Sequence, residues 1–234
     1  MGNISFNDYI LSRSNRKAAE KCFDLARNKS EQGKILFVQG PSSGGKTHLL
    51  RKTAEVYYKK YNEEALAVHL REMTDDIIKS VIENNKEAFY EKYSSGRLLL
   101  VDDFHGIIGF SATQGELATV FIRLVEQGVN IILFSEYKLN QYANMLLLLE
   151  DKADLTQVTV SKADLFLRKR VLENLLADGN GNVSGRVFRY IVLNKKISIA
   201  SFKGCVAKIR LTEKLEGDKT DNKKIIKALE EYKR

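Results

Sequence analysis

Short apolar runs alternate with helical periodicity through the first two-thirds of the chain, and helical periodicity alone fills the last third. Residues 14–28 place Ala18, Ala19, Cys22, Phe23 and Ala26 on one side of a helix. Ile35-Leu-Phe-Val-Gln39 reads as a buried strand, followed by a glycine-rich stretch and a helix over residues 48–60. A second strand is expected at 66–70, two short helices at 74–84 and 86–93, and a third strand at 97–103. An amphipathic helix at 113–127 feeds a fourth strand, Asn130–Ser135, and residues 157–160 form a fifth. Strands this continuously apolar, separated by helices, predict a parallel sheet covered on both faces. Beyond residue 161 the period is helical throughout, at 163–177, 184–194, 198–208 and 221–232. The expected organisation is an α/β domain over residues 1–161 and a small all-α domain over 162–234.

Candidate chemistry enters where the first strand ends. Gly40-Pro-Ser-Ser-Gly-Gly-Lys-Thr47 satisfies G-x-x-x-x-G-K-T in the order strand, loop, helix that a P-loop requires. Gly40, Gly44 and Gly45 allow a tight turn that aims backbone N–H groups at phosphates, with Pro41, Ser42 and Ser43 completing the loop. Lys46 is placed to reach the outer phosphates, Thr47 to hold Mg²⁺, and His48 follows in the first helical turn, whose dipole favours anions. About fifty residues on, Leu98-Leu-Leu-Val-Asp-Asp103 has the form of a Walker B strand with its acids at the carboxyl end. Asp102 would hold Mg²⁺ and Asp103 would polarise an attacking water. Ser135 ends the fourth strand, either as a γ-phosphate sensor or as a hydroxyl capping a turn. The pattern predicts binding of ATP or ADP with Mg²⁺.

Composition narrows the setting. No apolar run approaches a membrane span, and Cys22 and Cys205 lack metal-type spacing, which fits reduced thiols in a cytoplasmic protein. A net charge of +8 is compatible with nucleic acid and equally with an ordinary lysine-rich surface. In residues 74–93, Lys79, Lys86 and Lys92 are candidate phosphate contacts and Phe89, Tyr90 and Tyr93 candidate stacking groups, although Phe89 and Tyr93, four apart, have core spacing, the reading favoured for that pair. The run Met145-Leu-Leu-Leu-Leu149 is expected to be mainly buried.

Together these segments resemble the ATPase domain of the bacterial initiator DnaA, an AAA+ protein, along almost the whole chain. Phe6-Asn-Asp-Tyr-Ile10 and Ser14-Asn-Arg-Lys-Ala-Ala19 are similar to the family's adenine-side segment, which implies Tyr9, Ile10 and Asn15 beside the base. Residues 87–93 ahead of Walker B and Ser201-Phe-Lys-Gly-Cys-Val-Ala-Lys208 are similar to the family's pre-Walker B helix and sensor 2 helix. The likeness implies an AAA+ fold, Mg-nucleotide binding, and partnership with an AAA+ initiator or other replication protein, with single-stranded DNA as a further ligand. Three departures stand out. Residues 140–157 hold no arginine where the family carries its finger, so self-assembly through a standard arginine finger is not expected. Lys203 stands at the sensor 2 arginine position. The chain ends at Arg234, where the initiator would continue into its helix-turn-helix domain, as in Hda-like regulatory homologues. Slow intrinsic hydrolysis follows from the first two departures. A helicase loader of the DnaC type is the alternative within the same fold. A P-loop small-molecule kinase, with Arg168 or Arg170 over the phosphates, is the alternative from another class.

Overall fold

The computed structural model describes residues 9–29, 31–177, 183–216 and 221–233. The chain divides into two compact units, Asn15–Ser161 and a second built from Lys162–Arg234 together with the segment that precedes Asn15. The second unit's amino-terminal piece is tied to its helical part by the Ser14 N–H, which donates to the Asp164 carboxylate at 3.3 Å.

In the first unit, the elements run α1 (Arg16–Arg27), β1 (Ile35–Gln39), α2 (Lys46–Tyr61), β2 (Leu66–His69), α3 (Leu70–Ile82), α4 (Lys86–Ser94), β3 (Leu98–Asp102), α5 (Ser111–Glu126), β4 (Asn130–Ser135), α6 (Ala143–Leu149) and β5 (Leu155–Thr159). The five strands form one parallel sheet in the order β2-β3-β4-β1-β5. Alternation divides the apolar strand residues between two faces. Ile35, Phe37, Leu99, Val101, Ile131 and Leu133 face the core shared with α3, α4, α5 and α6. Leu36, Val38, Leu100, Ile132 and Phe134 are equally buried, so the sheet is covered on both sides. Asn130, nearly buried at the start of β4, donates its amide to the Leu25 and Asn28 carbonyls and accepts from the Lys34 N–H. That one side chain satisfies the backbone where α1 ends and β1 begins.

Several expectations shift, such as the fifth strand, found at Leu155–Thr159, and the helix expected at 198–208, found at Phe202–Glu216. β2 pairs only as far as His69 opposite Asp102, so Leu70 is the first residue of α3 and not the last of a strand. Its burial together with Met73 gives α3 a first-turn anchor that an alternating reading assigns to the sheet. The run at 145–149 is a helix, with Met145 and Leu149 buried one turn apart and Leu147 and Leu148 exposed, so the expectation of burial holds for half of it. α2 begins at Lys46 instead of residue 48, which puts both the lysine and the threonine of the loop in its first turn.

Phe89 and Tyr93 are buried and stacked with centroids 4.4 Å apart, as core residues of α4. Truncating Phe89 to alanine is expected to cost about 3 kcal/mol of unfolding free energy, measured by urea denaturation. A loss below about 1 kcal/mol would show that the ring is not a core element.

The second unit packs α7 (Leu165–Ala177), α8 (Gly185–Leu193), α9 (Phe202–Glu216) and α10 (Asn222–Ala228) around Leu172, Val187, Ile191, Phe202, Val206, Ile209, Ile225 and Leu229. Ser184 caps α8 through the Val187 N–H, and Asp221 accepts from Lys223 N–H to cap α10. Arg168 on α7, 5% exposed, is the unusual feature of this core. Its guanidinium donates to the carbonyls of Ile191, Val192, Asn194 and Ile197 at 2.7–2.8 Å and lies over the Phe202 ring. The carbonyls freed by the end of α8 therefore find their donor in a side chain from another helix.

Candidate nucleotide-binding site

β1 lies between β4 and β5, and the loop to α2 leaves from its carboxyl end. Gly40 is hydrogen-bonded from its N–H to the Ser135 carbonyl at 3.0 Å, and a Cβ there would lie 2.6 Å from the Val160 oxygen. Only glycine fits so close to the neighbouring backbone. Further on, Ser43 and Gly45 both adopt positive φ, 59° and 94°. Left-handed residues in such a loop turn successive N–H groups toward a common centre, the geometry of an anion nest.

Lys46 follows as the first residue of α2. Its side chain is 7% exposed, and its ammonium donates to the Gly40 and Pro41 carbonyls at 2.9 and 3.0 Å. The nearest carboxylate, Glu136, is 3.9 Å away. Burial holds the Lys46 pKa below that of a free lysine, against the opposing pull of Glu136, Asp102 and Asp103. A buried cation whose close partners are two neutral carbonyls is under-compensated, and an anion of several charges fits it.

One residue on, the Thr47 hydroxyl donates to Asp102 Oδ2 at 2.8 Å. The other oxygen of Asp102 accepts from the Asp103 N–H at 3.0 Å, and Asp102 is almost fully buried. A hydroxyl and a carboxylate joined this way present two hard oxygens on one side, which suits Mg²⁺ completed by phosphate oxygens and water. Among the described residues no group of three or more His, Cys, Asp or Glu side chains forms a self-sufficient metal site. Asp103 itself takes a left-handed backbone (φ 53°), and its carboxylate is exposed, 3.5 Å from His69 Nδ1 on the adjacent strand.

The remaining predicted residues fall as follows. Pro41 is half-buried; Ser42, Ser43 and His48 are exposed along the loop and first turn. Ser135 is fully buried; its hydroxyl shares a 2.7 Å hydrogen bond with Tyr142 and accepts from the Tyr137 N–H at 3.0 Å. The Tyr137 contact closes the turn after β4, and burial raises the partner Tyr142 to about 12. Asn15 is buried before α1, in the same unit as the loop. Tyr9 (buried), Ile10 (half-buried) and Lys203 (exposed on α9) belong to the other unit. Phe6, Asn7 and Asp8 of the adenine-side segment lie outside the described residues. Glu136 escapes a sequence reading. Its signal is an acid directly after a central strand, and only folding reveals its approach to Lys46.

A phosphate-type loop leaving β1 and paired acids leaving β3, with β4 inserted between the two strands, define a P-loop domain of the AAA+ class. Residues 2–157 match the family model of the bacterial DnaA ATPase domain, and the chain belongs to that family. The chromosomal replication initiator protein DnaA of Nostoc punctiforme is 25% identical over 203 residues, 86% of this chain and 44% of the relative. That of Pseudothermotoga lettingae is 23% identical over 230 residues, 97% of this chain and 51% of the relative. The chain thus spans about half the length of these relatives. Among solved structures, domain III of Thermotoga maritima DnaA superposes with a TM-score of 0.77 at 20% identity, covering 98% of this chain and 96% of that one. A replication initiator DnaA bound to AMPPCP and single-stranded DNA gives 0.70 at 22% identity, covering 88% and 64%. The DnaC helicase loader gives 0.52 at 19% identity, covering 65% and 94%. At these identities the likeness is one of fold.

Proposed function

We propose that the chain is a cytoplasmic, DnaA-related nucleotide switch that holds ATP or ADP with Mg²⁺ and acts in, or regulates, bacterial replication initiation. The buried and under-compensated Lys46 ammonium carries the nucleotide reading. The loop N–H groups and Lys46 would take the phosphates, Thr47 and Asp102 the Mg²⁺, and Asp103 would orient water; Tyr9, Ile10 and Asn15 are proposed for the base. Bound Mg²⁺ supplies charge neutralisation on the phosphates. That a related initiator is solved with AMPPCP supports the adenine nucleotide.

Hydrolysis is expected to be slow. No arginine occurs in residues 140–157, and the Lys203 ammonium lacks the planar fork of the arginine it replaces. The partner is proposed to be an AAA+ initiator or another replication protein, recognised according to which nucleotide is held. Asp102→Asn tests the metal assignment. It is expected to abolish the Mg²⁺-dependent part of the thermal stabilisation by ATP while leaving a Mg²⁺-independent part. An unchanged Mg²⁺ response would remove Asp102 from the site.

The likeness to the DnaC helicase loader supports a second reading, a loader whose client is a replicative helicase. Retention of a hexameric helicase, and not of an initiator, on immobilised ATP-bound protein would favour it. The kinase reading loses one of its two candidate arginines, because Arg168 has its donors committed to four backbone carbonyls. Arg170, the other, is paired with Glu173.

A further inference from the structure

The chain's net positive charge comes from one end. Residues 162–234 hold 18 lysines and arginines against 9 acidic residues, a net charge of +9, whereas the whole chain carries +8. Residues 1–161 therefore carry −1. The few acids of the helical unit are mostly consumed internally. Asp164 and Asp221 cap helices, Glu173 pairs with Lys169 and Arg170, Glu230 with Lys233, and Glu231 with Lys208. Arg186, Lys195, Lys196, Arg210, Lys214 and Lys227 are left exposed, with no carboxylate partner among the described residues. They come from α8, the turn after it, α9 and α10, so the charge is distributed over several elements of the unit instead of lining one helix.

The turn is also held in place. Arg168 grips the carbonyls of Asn194 and Ile197 on either side of Lys195 and Lys196, and the Lys196 N–H bonds Asn194 Oδ1. Two cations are thus presented on a fixed loop, with little backbone ordering entropy left to lose on binding.

The α3–α4 pair differs on most counts, Lys86 being its one lysine without a carboxylate partner among the described residues. Lys92 is bound by Asp76 at 2.6 Å and Glu72 at 3.4 Å, and Lys79 lies 3.9 Å from Glu83. Phe89 and Tyr93 are spent in the core. The groove beside α3 is lined by Glu72, Asp75, Asp76 and Asp103, with Arg71 as its one permanent cation. Such a wall repels a phosphate backbone.

We infer that the helical unit, through the exposed cations of α8, its following turn and α9, is a surface for the phosphodiester backbone of nucleic acid. The contact is electrostatic and indifferent to sequence, as unpaired lysines and arginines on a rigid surface dictate. It extends the proposed function to a second ligand and does not depend on the nucleotide site, since Lys46→Met, which tests that site, leaves these residues untouched.

The test is fluorescence anisotropy of the full chain with labelled single-stranded and duplex oligonucleotides over a range of KCl. Two variants reverse the proposed surface, Lys195→Glu with Lys196→Glu, and Arg210→Glu with Lys214→Glu. A third, Lys79→Glu with Lys86→Glu, is the comparator on α3 and α4. Thermal melts confirm folding, and either helical-unit variant alone suffices if the other fails to fold. Each helical-unit pair is expected to weaken binding at least about tenfold and to reduce the salt slope by about 2, near 0.9 per phosphate contact. The comparator is expected to change affinity less than about twofold, at the level of screened surface charge. Equal or greater loss in the comparator would overturn the inference. So would absence of binding at low salt, or binding to anionic phosphatidylserine vesicles but not to oligonucleotides.

Discussion

Replacing Lys46 with methionine is expected to weaken ATP and ADP binding by at least about a hundredfold while leaving the nucleotide-free protein as stable as before, or more so. The first half follows from the two charge-assisted hydrogen bonds that the ammonium would give to phosphate oxygens. At about 1.5–3 kcal/mol each they exceed the 2.7 kcal/mol or so that a hundredfold represents. The second half follows from the cost of the buried cation. The nucleotide-free site offers it two carbonyls and a carboxylate 3.9 Å away. Its pKa is lowered by burial, so at neutral pH the charged form opposes folding, and that opposition fades as pH rises from the folded toward the unfolded pKa. Methionine keeps the packing and removes the charge. Isothermal titration with Mg-ADP checks the first half and a melt without nucleotide the second. A variant that melted well below the parent would mean Lys46 is a structural cation and not a ligand group waiting for its anion.

The second large effect is expected at Arg168. Arg168→Ala should cost the helical unit about 3–5 kcal/mol, since it strands four carbonyls at once, three of them in buried hydrogen bonds. Arg168→Lys should recover only a minor part, because one ammonium cannot span acceptors that the planar guanidinium reaches from several nitrogens. Native-state hydrogen exchange of the amides in α8 and α9 reads the loss directly. Protection unchanged within about 0.5 kcal/mol in the alanine variant would show that the four bonds are not a keystone of this unit. Nucleotide contact by Arg168 is tested by the same variant, since a catalytic arginine would change turnover without lowering protection.

How far the sequence reveals this protein depends on the range of the interaction involved. β1, β3 and β4 are legible because each is a nearly unbroken apolar run, and the loop after β1 because glycine spacing and strand–helix context are both local. The start of α3 is not, since Leu70 continues the apolar alternation of β2 and only the sheet register ends the strand at His69. α6 hides inside five consecutive apolar residues in which periodicity is invisible, and burial of Met145 and Leu149 appears only against α5. The role of Arg168 is beyond sequence reasoning, because its four partners lie 23 to 29 residues away and are backbone atoms. Within the site, Thr47 and Asp102 are brought together as their motifs imply, across 55 residues. Glu136 and the capping bonds of Ser135 belong to the tertiary structure alone.

The central claim is a nucleotide held firmly and hydrolysed slowly. Mixing the full chain with one equivalent of radiolabelled ATP and Mg²⁺, removing free nucleotide, and following the bound label over time tests both parts in one measurement. About one nucleotide retained per chain, converted to ADP at roughly 10⁻² s⁻¹ or slower, is the predicted result, the range of sites that lack an arginine from a partner. No retention, or unaided turnover of many ATP per second, would contradict it.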